Sequence, residues 1–404
     1  MIAYPLPAQS REDLMSALRR IGADLRSMAY FEPKRDILSL YLPKVDFRAA
    51  AYLKQELLAR GGDAVVNRDV IACAAETSDV LLLGTPGQVR SLVKKLGALP
   101  CWGLPDIQSA LSGALEGLDK TSWTFDFAGG RSLTLGKKTA VMGILNLTPD
   151  SFYEGSRIAG EEELLRRAAA MTKGGADILD LGAESTRPGS EPLPPEEEME
   201  RLIPAIRLLR KEFPDTVISA DTWKGRVAGE AVNAGADIIN DISGLAFDPE
   251  LPRTAAESGA ALVLSHIQGT PRDMQKNPKY DDTVKDILEY FDERLKAAEA
   301  AGIDRERIII DPGIGFGKGA SDNLKILRNL EAFRIFGRPV MVGHSRKAFI
   351  GRTLGLDDPA DRLEGTLALT ALCAAKGAAV VRVHDVPANA RVINMMAAVR
   401  EAEL

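Results

Sequence analysis

AVMGILN (140–146) opens a rhythm that the rest of the chain repeats: an apolar run, a polar residue at its end, a loop, then a stretch with helical spacing. Further apolar runs fall near 177–181, 216–220, 237–240, 261–265, 307–310, 339–342 and 379–383, making eight. Strands covered on both faces by helices read as unbroken apolar segments, because neither face meets water. Eight β/α units in about 265 residues predict an α/β fold, a (β/α)8 TIM barrel, with a doubly wound open sheet as the alternative.

Working outward, WTFDFAGGRSLTL (123–135) alternates apolar and polar residues on both sides of Gly129-Gly130, a hairpin signature, and is placed to plug the N-terminal floor of the barrel. GALEGLDKTS (113–122) reads as a linker. Residues 1–119 read as a separate domain and 120–404 as the barrel domain. The first shows strands at 37–42 and 79–84, a strand or strand pair across 63–74, and helical patterns at 10–21, 46–60, 87–97 and 105–116. That β-α-β-β-α order predicts a small α/β sandwich of ferredoxin-like pattern. It holds no His and no cluster of reactive side chains, so no activity is assigned to it.

Composition excludes several functions. The net charge is −6, from 51 Lys and Arg against 57 Asp and Glu, with no polybasic block of the kind nucleic-acid phosphates require. No apolar run reaches the ~18–20 residues that span a bilayer, and MIAYPLPAQSRED lacks the basic and long apolar regions of a signal peptide, so a cytoplasmic protein is expected. Cys73, Cys101 and Cys373 lie far apart without CxxC spacing and read as ordinary buried thiols. The three histidines, His266, His344 and His384, fall on separate segments without HxH or HExxH spacing, which argues against a zinc hydrolase. No GxSxG elbow is present, and GIGFGKG (313–319) lacks the GxxxxGK[ST] spacing of a phosphate-binding loop.

In such a barrel chemistry sits where strands end. In order the strand ends offer Asn146, Asp180 with Glu184, Asp221, Asn240 with Asp241, His266, Asp311, His344-Ser345-Arg346-Lys347, and Arg382 with His384. Asp221, Asn240, Asp311 and Lys347 supply acceptors, an amide and a cation suited to the edge of a flat heterocycle bearing ring N–H, amino and carbonyl groups. Asn146, Arg382 and His384 suit an anion, and strands seven and eight form the usual phosphate corner. The residues therefore point to a heterocycle carrying phosphate or diphosphate. Loops TPDSFYEGS (148–156) and ESTRPGSEP (184–192) have the composition of mobile segments that close over a water-sensitive intermediate.

MGILNLTPDSF (142–152), GADILDLGAESTRPGS (175–190), ISADTWK (218–224), AGADIINDISG (234–244), HIQGTP (266–271), IIIDPGIGFGK (308–318), GHSRKAFIG (343–351) and VRVHDV (381–386) together resemble the dihydropteroate synthases of the pterin-binding superfamily. The resemblance covers residues 140 to 386 in order and spacing. It implies a transferase of alkyl or aryl groups in folate biosynthesis, joining 6-hydroxymethyl-7,8-dihydropterin diphosphate to 4-aminobenzoate with Mg²⁺ and releasing diphosphate. Carried over by motif, Asp221, Asn240, Asp311 and Lys347 hold the pterin, with Arg346 beside them. Asn146, Arg382 and His384 hold diphosphate and metal, Asn146 being the metal ligand, and these three with Lys347 are the catalytic set. Thr186, Arg187 and Pro188 frame the aminobenzoate. The resemblance also implies a homodimer, with no nucleic-acid or membrane partner. Ala348 stands where many members have a Ser that helps bind the acceptor carboxylate, which touches the identity of the acceptor, and His344 replaces a small residue. A pterin-dependent methyltransferase acting with a corrinoid partner, and a non-catalytic pterin binder, are the competing readings.

Overall fold

A computed structural model of the chain describes residues 11–34, 36–147, 157–185 and 189–402. It divides into two compact units, Met1–Asp119 with Glu401–Leu404, and Lys120–Arg400.

The first unit is built on a three-stranded antiparallel sheet. Its strands are β1 (Leu38–Asp46), β2 (Asp63–Val65) and β3 (Thr77–Gly84), in the order β1-β3-β2. β3 therefore lies between two strands joined by the helix Phe47–Leu58, a split β-α-β arrangement. Asp46 starts that helix by accepting from the Arg48 amide, and Thr85 and Gln88 form a reciprocal capping box at Pro86–Leu96. Leu53, Leu57, Leu82, Leu92 and Leu96 close the core. Of the two readings for 63–74 the structure takes the single strand, because Asn67 accepts from the Asp69 amide and turns the chain into a 3₁₀ helix, Arg68–Val70. One expectation needs correction. The expected linker 113–122 is largely helical: Leu104–Asp119 runs unbroken because Leu104, Leu111 and Leu115 keep a buried face that outweighs Gly113 and Gly117. In chain order a helix thus stands where a ferredoxin-like unit has its fourth strand.

The second unit opens with an antiparallel hairpin, β4 (Trp123–Asp126) and β5 (Ser132–Leu135). Eight parallel strands follow: β6 (Ala140–Asn146), β7 (Ile178–Gly182), β8 (Val217–Asp221), β9 (Ile238–Asp241), β10 (Ala261–Ser265), β11 (Ile308–Asp311), β12 (Met341–Val342) and β13 (Val380–Val383). Their order is β11-β10-β9-β8-β7-β6-β13-β12, and the Ile310–Val340 bridge joins β11 to the segment entering β12, so the sheet closes into a barrel. Every residue of β7 to β11 is buried, as expected when helices pack outside and side chains fill the middle.

Trp123, Phe125, Leu133 and Leu135 pack with Met142, Ile178, Val217, Ile238, Val263, Ile309 and Val380, so the hairpin stoppers the N-terminal end of the barrel. Trp123 Nε1–H donates to the Gly337 carbonyl at 2.8 Å, and Arg131 and Arg210 both pair with buried Asp237, at 2.9 and 2.6 Å. Only the C-terminal mouth is left for chemistry. The thiol expectation holds for Cys373 alone; Cys73 is exposed, at a left-handed turn position, and Cys101 is half-buried. No described helix is long and apolar enough to cross a membrane.

Candidate active site

Each barrel strand delivers its last residue to the mouth because the parallel register aligns the ends: Asn146 pairs with Gly182, Gly182 with Asp221, and Asp221 with Asn240. The centre is an ionic network. Arg382 Nε donates to Asp180 Oδ2 and its Nη2 to Asp221 Oδ2, both at 2.6 Å, while Asn240 Nδ2 donates to Asp180 Oδ1 at 3.2 Å. Burial, opposed by Arg382, pushes the Asp221 carboxyl up to about 7. Burial also works against the Arg382 charge, but Asp180 and Asp221 more than offset it and hold the guanidinium protonated. Among the described residues no partner takes Nη1, whose two N–H groups remain available to a ligand. The structure thus brings Arg382 to the carboxylates, whereas the sequence grouping set it with Asn146 and His384.

On the opposite side Asp311 Oδ1 accepts from the Gly313 amide at 2.8 Å, and burial raises its carboxyl. Lys347, at the start of the helix Ala348–Leu354, donates to the Ile314 carbonyl and places its ammonium 4.3 Å from the centroid of the Phe316 ring. Burial, opposed by Asp311, lowers Lys347 to about 8. The loop carrying these groups is rigid. Gly313 has φ 68°, and a β-carbon there would lie 1.9 Å from the His266 carbonyl oxygen, so no other residue fits. Asn323 Oδ1 takes the Gly315 amide at 2.7 Å and Tyr280 donates to the Gly317 carbonyl at 2.7 Å.

Several strand-end residues serve the frame. Asp241 accepts from the Ser243 and Leu245 amides at 2.7 and 2.6 Å and shapes the loop after β9. Arg346 is a full clamp: it holds Asp385 through Nε at 2.7 Å and Nη2 at 2.9 Å, and the Pro359 and Ala360 carbonyls through Nη1. His344 is fully buried, with Nε2 2.9 Å from Thr370 Oγ1, which itself donates to Asn389 Oδ1. Asn146 and His384 keep surface open to solvent at the mouth, the His384 ring being largely sunk among Ser345, Arg382 and Asp385, and Ala348 is exposed beside Lys347. Thr186, Arg187 and Pro188, and the loop 148–156, lie outside the described residues.

Sequence reasoning undervalued three groups. Asp180 was noted at its strand end but given no role, and it anchors the network. Lys318 is 2% exposed and directs its ammonium at His266 Nδ1 (2.7 Å), the His266 carbonyl (3.3 Å) and the Phe316 carbonyl (3.0 Å), tying the β10 loop to the β11 loop. Lys224 pairs with both Glu184 and Glu198 out of water, and Trp223 Nε1–H donates to Glu184 at 3.0 Å. The pairing of DPG with GFGK, and the TWK that follows Asp221, carried the only signal for them.

For a divalent cation, the described residues hold no group of three or more His, Cys, Asp or Glu side chains close enough to cage one. Asn146 offers one hard amide oxygen at the open mouth, while the nearby carboxylates are committed to Arg382 or to backbone amides. That donor set fits Mg²⁺, which keeps most of its waters and takes one or two protein groups beside substrate phosphates.

A closed (β/α)8 barrel with a carboxylate, amide and cation mouth defines a class of enzymes that bind a flat polar heterocycle beside an anion. The model of the pterin binding enzyme family matches residues 142–384. The barrel is 46% identical over 257 residues to the dihydropteroate synthase of Synechocystis, covering 64% of this chain and 89% of that one. It superposes with TM-score 0.64 on Xanthomonas albilineans dihydropteroate synthase with 4-aminobenzoic acid, at 41% identity, covering 70% of this chain and 100% of that one. The probable bifunctional folylpolyglutamate synthase/dihydropteroate synthase of Haloferax volcanii is 38% identical over 366 residues, 89% of this chain, so the likeness reaches beyond the barrel into the first unit. This chain spans 43% of the length of that relative. The chain belongs to the pterin-binding enzyme family, and within it to the dihydropteroate synthase group.

Proposed function

We propose that the barrel is a dihydropteroate synthase, condensing 6-hydroxymethyl-7,8-dihydropterin diphosphate with 4-aminobenzoate to give 7,8-dihydropteroate and diphosphate. The observation that carries this is the single network in which Arg382 spans Asp180 and Asp221. It sets hydrogen-bond acceptors for a heterocycle edge against a cation whose Nη1 N–H groups have no partner among the described residues and can meet an anion.

In this reading Asp221, Asn240, Asp311 and Lys347 hold the pterin edge. The Arg382 Nη1 donors, His384 and Asn146 meet the diphosphate, and Thr186, Arg187 and Pro188 frame the arylamine. The C–O bond to diphosphate breaks first, its electron pair leaving with the diphosphate, and the cation spreads into the electron-rich dihydropterin. The neutral arylamine nitrogen then attacks the exocyclic carbon and loses a proton. No protein nucleophile is needed. Asn146 would hold Mg²⁺ beside the diphosphate, where the ion would supply neutralisation of the leaving group's charge. Lys347, fixed over Phe316 by the Ile314 carbonyl, orients the ring, and Arg382 stabilises the charge that grows as diphosphate departs. Leu372, Met395 and Val399 stand exposed on the last two helices, apolar surface of the kind a second copy covers in a homodimer.

The test incubates the full chain with the pterin diphosphate, Mg²⁺ and 4-aminobenzoate and measures diphosphate and dihydropteroate together. Stoichiometric formation of both is expected, and Arg382→Ala should cut turnover about 10²–10³-fold. Diphosphate release without dihydropteroate would point to a different arylamine, as Ala348 permits. No release at all would overturn the assignment.

A further inference from the structure

Ser345 follows β12 and His384 follows β13, neighbouring parallel strands, so the two residues stand side by side at the barrel mouth. The His384 backbone N–H donates to Ser345 Oγ at 3.2 Å, and the His384 ring Nδ1 lies 3.1 Å from the same oxygen. Ser345 is 5% exposed, so the hydroxyl proton is best satisfied by a partner within the protein.

Two arrangements are open. If the ring carries its proton on Nδ1, Oγ accepts twice and the hydroxyl proton needs an acceptor elsewhere; among the described residues no other group meets it. If Nδ1 is bare, the hydroxyl accepts from the backbone and donates to the ring, and every group is satisfied. A buried donor left unpaired is penalised heavily enough to favour the second arrangement roughly tenfold or more. Nε2 then carries the ring proton, and among the described residues it has no partner.

We infer that Ser345 is a positioning residue that holds the His384 imidazole in its Nε2–H tautomer, so that a neutral ring presents a donor to the departing diphosphate. This rests on the synthase reading of His384 as an anion donor. The ring is neutral near pH 7, because desolvation and then the charge of Arg382 push it down to about 4. For a neutral ring the tautomer decides the sign of the contact: Nε2–H attracts a phosphate oxygen, whereas a bare Nε2 would oppose it with a lone pair.

With only three histidines, the tautomer can be read directly. The full chain labelled with ¹⁵N-histidine is studied by long-range ¹H–¹⁵N correlation at neutral pH, the rings being assigned with His266→Gln, His344→Gln and His384→Gln. His384 should show a protonated Nε2 and a bare Nδ1. Ser345→Ala should mix the tautomers and lower turnover about tenfold while leaving the KM for 4-aminobenzoate unchanged, and Ser345→Thr should restore both the signature and most of the turnover. A wild-type ring protonated on Nδ1 would overturn the inference, as would a Ser345→Ala variant with wild-type turnover. The ring signature is measured without substrate, so it stands or falls separately from the synthase activity.

Discussion

Asp221 and Lys347 set opposite limits on pH. Asp221 must be ionised to accept the heterocycle's N–H groups, and its carboxyl, raised by burial to about 7, loses its charge as pH falls through that value. Lys347 must be protonated to donate, and its ammonium, lowered by burial to about 8, loses its charge as pH rises through that value. A bell-shaped profile of kcat/KM between these limits is expected for the pterin substrate. A flat rate from pH 6 to 9 would remove one of the two groups from binding. His344 makes a separate prediction about stability. Burial lowers its folded pKa to about 4, against an ordinary 6.5, so the ring stays neutral in the folded protein while the unfolded chain takes up a proton. Its contribution is therefore full above pH 6.5 and is lost as pH falls toward 4. The stability of wild type minus that of His344→Gln, from urea unfolding, should shrink by roughly 3 kcal/mol across that window. A constant difference would place the neutral buried ring in doubt. At this scale the sequence was legible where a residue's type and its strand-end position agree, as at Asp221 or Asp311. It was not legible where burial decides: Lys318 and Lys224 look like any surface lysine until three acceptors, or two carboxylates, close around each.

Elements were legible in proportion to how much of their stability is local. β10 (Ala261–Ser265) coincides with its apolar run because every residue in it is buried. β12 shrinks from an expected 339–342 to Met341–Val342, since Pro339 has no amide to donate and Val340 joins the sheet through one bridge. The Gly-rich end of the first unit misled for the opposite reason, because tertiary burial of Leu111 and Leu115 held a helix through it. The hairpin was readable in both its strands and its turn, and its packing gives a test. Trp123 is buried against the barrel floor with its indole N–H on the Gly337 carbonyl. Trp123→Ala should destabilise the barrel by about 3–5 kcal/mol, seen as a lower Tm, while KM for both substrates stays unchanged because the mouth lies at the other end of the strands. A change in KM without loss of Tm would show that the floor is coupled to the site.

For the whole molecule, the arrangement of cores determines what each unit can do alone. Among the described residues, Val45, Leu53, Val80, Leu92 and Leu115 belong to the core of the first unit, and the barrel's three clusters are built from residues between Trp123 and Ile393. Met171 and Ala176 pack against both of the larger barrel clusters and join them. Among the described residues, the ion pairs and hydrogen bonds around Arg382, Lys347 and His384 are made by residues of the second unit, from Asp180 to Asp385. The Synechocystis relative matches over 64% of this chain and 89% of its own, so a chain of about barrel length stands alone in that protein. Residues 120–404 expressed alone should therefore fold cooperatively, and with the pterin diphosphate and 4-aminobenzoate they should turn over at the full-length rate. Circular dichroism and the coupled diphosphate and dihydropteroate assay would measure both. A folded fragment with reduced turnover would mean that the first unit acts on the site, and its split β-α-β sheet would then become the place to look for that effect.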